Sequence, residues 1–226
     1  VLLAWDTSTD VVTVALHDGT AVVGHRTGSG ARRHAEVLTP LIASLLADAG
    51  IRGTDLDGLA VGVGPGAYTG LRVGLVTAEA LALSWGIGVR GACSLDALAV
   101  QAVSESPRRY PDGLLVVTDA RRRQVFWARY NADGARVSGP AVDAPNGLSA
   151  AIPGTGTLPA VGSGAIAHRE RFASTLEPTH PDAGWLAHGL AASTITALPV
   201  APLYLRQPDV TTGSGPKSVL QTGRPS

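Results

Sequence analysis

The sequence predicts an α/β fold with mixed sheets, divided into two parts near residue 104. Three observations carry that expectation. Residues 1–28 hold three short β-type runs separated by turn residues, the pattern of a meander. After residue 33, helical spacing alternates with apolar strand runs, the pattern of strand–helix–strand crossovers. The polar, proline-bearing stretch SESPRRYPDG, Ser104–Gly113, then interrupts the pattern before strand signals resume.

Val1–Trp5 is predicted as the first strand, ending at the polar turn Asp6-Thr7-Ser8-Thr9. Val11–Gly19 is the second and closes on an Asp-Gly turn, and Thr20–Gly28 is the third. Between Arg33 and Ala49 the residues Val37, Leu38, Leu41, Ile42, Leu45 and Leu46 recur at helical spacing, and Gly50 suits a helix stop. Pro40 either interrupts that helix or starts it behind Thr39 as N-cap. Asp57–Gly64 is largely apolar and is predicted as a strand buried on both faces. The glycine-rich loop GPGAYTGLRVG, Gly64–Gly74, leads into a helix over Leu71–Trp85 with Leu71, Leu75, Ala78 and Ala82 on one stripe. Gly86 stops it. GVRGAC, Gly88–Cys93, reads as a fifth strand, and SLDALAVQAV as a helix with Ser94 as N-cap. Leu114–Asn131 reads as two strands joined by a turn at Ala120–Arg123. The stretch to Pro199 carries weak signals, Ala201–Arg206 is a last ordered element, and 207–226 is predicted to be a disordered tail.

Composition narrows the class. With 226 residues the chain can bury a real core, and 45% apolar against 16% charged residues describes an ordinary globular protein. No apolar run approaches the roughly 18–20 residues of a membrane span, so no membrane association is expected. VLLAWDTSTD lacks a basic segment followed by an apolar one, and the lone Cys93 fits a reducing compartment, so a cytoplasmic location is expected. The net charge of +0 argues against a chain that binds nucleic acid on its own through a general basic excess.

Most chemical motifs fail on spacing. GSGPKS, Gly213–Ser218, puts Pro216 where a P-loop needs its second glycine and follows no strand. GSGAIA, Gly162–Ala167, has dinucleotide spacing after PAV, but no clear strand with an acidic end follows, so a plain turn is the better reading. The histidines His17, His25, His34, His168, His180 and His188 include no pair four apart, and no metal site is expected. No Gly-x-Ser-x-Gly turn offers a serine nucleophile, and Cys93 beside a strand reads as a small buried hydrophobe.

Two features remain. A carboxylate at a strand end followed by hydroxyls, as in Asp6-Thr7-Ser8-Thr9, can organise a metal–phosphate group; a simple strand-capping turn is the competing reading. GPGAYTG sets backbone N–H donors ahead of a helix N-terminus, where the dipole favours anions. Asp6, Thr7, Ser8, Gly64, Gly66, Thr69 and Gly70 are therefore the candidate phosphate or nucleotide residues.

LLAWDTST, RRHAEVLTPLIASLL, GVGPGAYTGLRVGLVTAEALAL, SLDALA, TDARRRQVFWARY and PLYLR occur in this order over residues 1–206. Together they resemble the TsaB (YeaZ) family, which takes part in making threonylcarbamoyladenosine beside the tRNA anticodon. The resemblance implies a two-lobed, actin-like and Hsp70-like ATPase fold of the ASKHA, RNase H-like kind, with lobes at 1–104 and 105–206. It also implies ancestry shared with the catalytic subunit TsaD, a heterodimer with TsaD, association with the ATPase TsaE, a homodimer when alone, and tRNA only within the complex. TsaD-like enzymes hold a metal through a His-x-x-x-His pair on a helix, and the helix from Ser94 contains no histidine. The expectation is therefore a non-catalytic scaffold whose phosphate loop is vestigial, with ATP or ADP at the partner interface as the one cofactor left open. The first two helices are implied in the partner contact, through His34, Val37, Arg72, Val76, Glu79, Ala80 and Leu83, where small and apolar residues permit close helix approach. The competing functions are an autonomous ATPase or sugar kinase and, more remotely, a glycoprotease-like peptidase. Against the first, Asp119 is followed by alanine and arginines; against the second, no nucleophile–base or metal pair is present.

Overall fold

In a computed structural model of the chain, residues 1–30, 33–152 and 155–206 are described, and the predicted tail 207–226 lies outside them. The strands are β1 (Leu2–Asp6), β2 (Val11–His17), β3 (Val22–Ser29), β4 (Gly58–Gly62), β5 (Val89–Ala92), β6 (Leu114–Asp119), β7 (Val125–Tyr130), β8 (Arg136–Asp143), β9 (Pro159–Val161) and β10 (Ser174–Leu176). The helices are α1 (His34–Ala49), α2 (Tyr68–Trp85), α3 (Ser94–Glu105), α4 (Leu148–Ala151), α5 (Ser163–Ala167) and α6 (Ala183–Ala191). One sheet runs β3-β2-β1-β4-β5 and the other β8-β7-β6-β9-β10. The plan is the same twice: a three-stranded antiparallel meander whose first strand continues into two parallel neighbours. This duplicated plan is the two-lobed actin-like fold that the family resemblance implies.

Strand alternation assigns the layers. Leu3, Trp5, Val14 and Leu16 face α1 and α2 through Leu38, Ile42, Leu45 and Leu75. The opposite face carries Ala4, Ala15, Ala60 and Ala92, small enough for α6 and α3 to approach closely through Ala183, Leu186, Ala187 and Ala97. The other side of α3, with Leu95, Leu98 and Ala102, packs on Leu114, Val116 and Tyr130 of the second sheet. α3 is thus a layer shared by both lobes. The far face of the second sheet is covered by Leu148 of α4 and Ala165 of α5.

Several local expectations change. α1 begins at His34 and continues through Pro40, which stands exposed, so proline neither interrupts nor starts it. β3 begins at Val22 because Asp18 Oδ1 accepts from the Thr20 and Ala21 amides and occupies those residues in a turn. α2 starts at Tyr68, three residues before the predicted Leu71, while Gly50 and Gly86 close their helices in left-handed backbone as expected. The weakly patterned stretch after residue 131 supplies β8–β10 and α4–α6. The chain also crosses back: α6 packs on the first sheet, and Leu198 pairs with Gly91 beside β5. The stretch 105–206 is therefore not confined to the second lobe.

α6 is fastened by its cap. Asp182 accepts from the amides of Gly184 (2.8 Å) and Trp185 (3.3 Å), and His25 Nε2 on β3 donates to its other oxygen at 2.6 Å. The bond to Asp182 holds the His25 imidazole above its ordinary value of 6.5, against the opposing effect of burial. Burial alone would raise Asp182; the bonds from His25 and the two amides outweigh it and hold the carboxyl below 3.8. The signs follow. The raised histidine contributes stability that is complete below 6.5 and lost as pH rises through its folded value. The depressed aspartate contributes above 3.8 and loses its share as pH falls through its folded value. His25→Gln is therefore expected to cost under about 1 kcal/mol between those limits, because the pair is partly solvated. The cost should vanish on the alkaline side, read by urea titration of both proteins across the pH range. A cost that is flat with pH would refute the ion pair.

Candidate functional site

β1 ends in a fully buried carboxylate. Asp6 Oδ1 accepts from the amide (2.8 Å) and hydroxyl (2.6 Å) of Ser8, and Oδ2 accepts from Ser94 Oγ (2.5 Å). Burial pushes the Asp6 carboxyl above its usual range, against the pull of the Ser8 and Ser94 donors. Ser94 Oγ also accepts from the Gly64 amide (3.2 Å), so one hydroxyl links β1, the glycine loop and α3. This corrects the predicted cap: Cys93 holds the N-cap position without a side-chain bond, and Ser94 is the first helical residue. Its hydroxyl serves Asp6 because a buried carboxylate needs donors more than a helix end does.

The glycines are fitted to the protein's own chain. A Cβ at Gly62 would fall on the Asp6 carboxylate, at Gly66 on the Ser8 backbone, at Gly70 on the Thr7 carbonyl and at Gly74 on the Thr7 hydroxyl. Thr7 Oγ1 donates to Gly70 O (2.8 Å), and the Ala67 amide donates to Ser8 O (3.1 Å). Of the predicted phosphate residues, Asp6, Thr7, Ser8, Gly64, Gly66 and Gly70 come together in one knot, and Thr69 stands exposed on the first turn of α2. Ser8 and Gly66 reach the adjoining open space.

That space is a cleft of about 640 Å³ between the lobes. Ser8, Asp10 and Tyr68 line it from the first lobe; Asp119, Arg121 and Ser163 line it from the second. Arg121 and Asp10 form an ion pair across it, and Arg206 Nη1 donates to Ala120 O at 2.9 Å. The two turns that face each other share one hydrogen bond and differ in backbone, since Arg121 is left-handed (φ 61°), and in chemistry. Asp119 Oδ1 accepts from the Arg121 amide at 2.8 Å, the bond that Asp6 makes with Ser8. Yet Asp119 is exposed, and arginine follows where the first turn has serine. Sequence reasoning noted Asp119 but did not single out Asp10, Tyr68, Ser163, His180, Tyr204 or Arg206. The duplicated topology is the signal that finds Asp119 and Ser163, since they occupy the places of Asp6 and the glycine loop.

The predicted partner residues divide into two groups. Arg72, Val76, Glu79, Ala80 and Leu83 lie exposed on one stripe of α2, with Val76 62% and Leu83 87% exposed. His34 is instead turned inward, its Nε2 at 2.8 Å from Thr9 O, and Val37 is half-buried against the first core. The reason is the Gly28–Gly30 segment, whose bare backbone lets both side chains close over β3. Among the described residues no three His, Cys, Asp or Glu side chains gather to hold a metal ion, and no helix is long and apolar enough to cross a membrane.

Residues 25–203 match the family model described as TsaD, tRNA N6-adenosine threonylcarbamoyltransferase. An uncharacterized protein of Mycobacterium tuberculosis is 44% identical over 212 residues, 92% of each chain. The tRNA threonylcarbamoyladenosine biosynthesis protein TsaB of Escherichia coli is 35% identical over 133 residues, which cover 58% of this chain and 55% of that one. The solved structure of YeaZ from Pseudomonas aeruginosa is 28% identical and covers 90% of this chain and 99% of that chain, with a TM-score of 0.73.

Proposed function

From a chain that belongs to the TsaD tRNA N6-adenosine threonylcarbamoyltransferase family, and is TsaB/YeaZ-like within it, we propose a subunit of the machinery that makes tRNA threonylcarbamoyladenosine. Its role is that of a non-catalytic scaffold for TsaD, in a complex that TsaE joins. The observation that carries this reading is the glycine loop filled by its own chain. The carboxylate that could organise a metal–phosphate group is engaged by Ser8 and Ser94, and the bare backbone that could cradle phosphate is closed by Thr7 and Ser8. The exposed α2 stripe is the proposed TsaD contact, and the same stripe serves a second copy when TsaD is absent. Largely exposed Leu and Val on one helix face support an interface more readily than isolated surface residues would.

The test uses the full chain with and without a TsaD-family partner. Supplied with threonylcarbamoyl-adenylate and tRNA, the chain alone is expected to leave tRNA unmodified, and co-expressed with the partner it should co-purify and support modification. Robust modification by the single chain would overturn the scaffold role. Tight ATP binding with turnover by the single chain would favour the autonomous ATPase instead.

A further inference from the structure

Three consecutive arginines in left-handed backbone need a reason. Arg121, Arg122 and Arg123 have φ of 61°, 51° and 59°, a region strained for any residue with a long side chain. Glycine or asparagine would fill it more easily, and neither is present. Arg121 is held there by the Asp119 turn and by its ion pair with Asp10. The turn stands at the mouth of the interlobe cleft.

An aromatic platform shares that mouth. Tyr68 and Tyr204 are stacked with centroids 4.6 Å apart, and the Arg72 guanidinium lies 4.0 Å over the Tyr68 ring and donates to Tyr204 Oη at 3.1 Å. Both rings remain more than a third exposed. Arg121, Arg122 and Arg206 outnumber Asp10 and Asp119 among the lining residues, and Arg72 sits on the two lining tyrosines. A chain of net charge +0 thus concentrates arginine at one opening, beside two part-exposed tyrosines.

We propose that this mouth binds a single-stranded RNA loop, with phosphates on the arginine turn and an unpaired base on the Tyr68–Tyr204 platform. Guanidinium forks suit phosphate oxygens, and an unstacked base can lie on an aromatic or guanidinium plane as a paired one cannot. The proposal rests on the reading of the chain as part of a tRNA-modifying assembly, and it names the RNA element as a hairpin loop of the anticodon type.

The experiment titrates the full chain, at low salt, into a fluorescent tRNA anticodon stem-loop and into a blunt RNA duplex of the same length. The wild type should prefer the stem-loop. The double variant R122N/R123N, in which asparagine tolerates the backbone, should weaken both complexes and reduce the salt slope by about 2. Tyr204→Ala should weaken the stem-loop alone, on the order of tenfold, and Tyr204→Phe should restore it. Equal wild-type affinity for the two RNAs, or variants that bind as the wild type does, would overturn the proposal. Unchanged RNA binding with lost TsaD co-purification in R122N/R123N would also overturn it, and would assign the mouth to an acidic protein surface. Loop-selective binding by a wild-type chain that fails to co-purify with TsaD would uphold the RNA surface while refuting the scaffold role.

Discussion

Val76→Arg and Leu83→Arg are expected to leave the melting temperature unchanged and to weaken TsaD binding a hundred- to a thousandfold or more. Both side chains are largely exposed on α2, with Ala80 between them on the same stripe. Surface substitutions of this kind usually change stability by no more than about 0.5 kcal/mol. In a closed interface the same arginine would be desolvated without a partner, at about 3–5 kcal/mol, and each 1.4 kcal/mol, roughly, is a tenfold change in affinity. Ala80→Arg should behave alike. Calorimetric melting and a TsaD pull-down on each variant give the result. Intact binding with intact melting would reject the stripe as the partner face. A collapsed melting temperature would mean that α2 packs more deeply than its exposure indicates.

Gly62→Ala is expected to destabilise the chain by about 3–5 kcal/mol, from overpacking and from loss of hydrogen bonds to a buried carboxylate. The added methyl would coincide with the Asp6 carboxylate and lie 2.8 Å from Ser94 Oγ. Neither group can yield, because each is bonded to the other and Asp6 also holds the Ser8 turn. Gly88→Ala is the control: no atom lies within 4 Å of its Cβ position, and its effect should stay within about 0.5 kcal/mol. Urea unfolding of both variants decides. If Gly62→Ala unfolded with the wild type, the Asp6 carboxylate would be free to turn, and the knot would again be a candidate phosphate site.

Legibility from sequence followed element length. α1 and α2, with sixteen and eighteen residues, carry several turns of apolar spacing and stop at glycines, so their period is visible. β9 and β10 have three residues each and α5 has five, too few to show any period. They exist because β6 offers β9 a parallel edge and β9 offers one to β10, contacts that no local window contains. The proposed partner stripe was half legible: exposure on α2 follows from helical spacing, whereas the inward turn of His34 depends on Thr9, twenty-five residues away.

The residues of the first lobe were enough to specify its strands, its helices and the glycine loop, because each rests on a local pattern or on a conformation that only glycine takes easily. The use of the loop was not specified in that way. Glycine leaves room beside the backbone, and the same room could admit a phosphate or another part of the chain. Long-range contacts occupy part of that room: Asp6 with Ser94, eighty-eight residues apart, and Thr7 with Gly70, sixty-three apart, meet beside the loop glycines. The cleft likewise has no counterpart in any single segment, since Asp10 and Arg121 meet across 111 residues only when the two sheets dock on α3. Space is created locally, and its occupant is set by whatever the packed fold brings nearest.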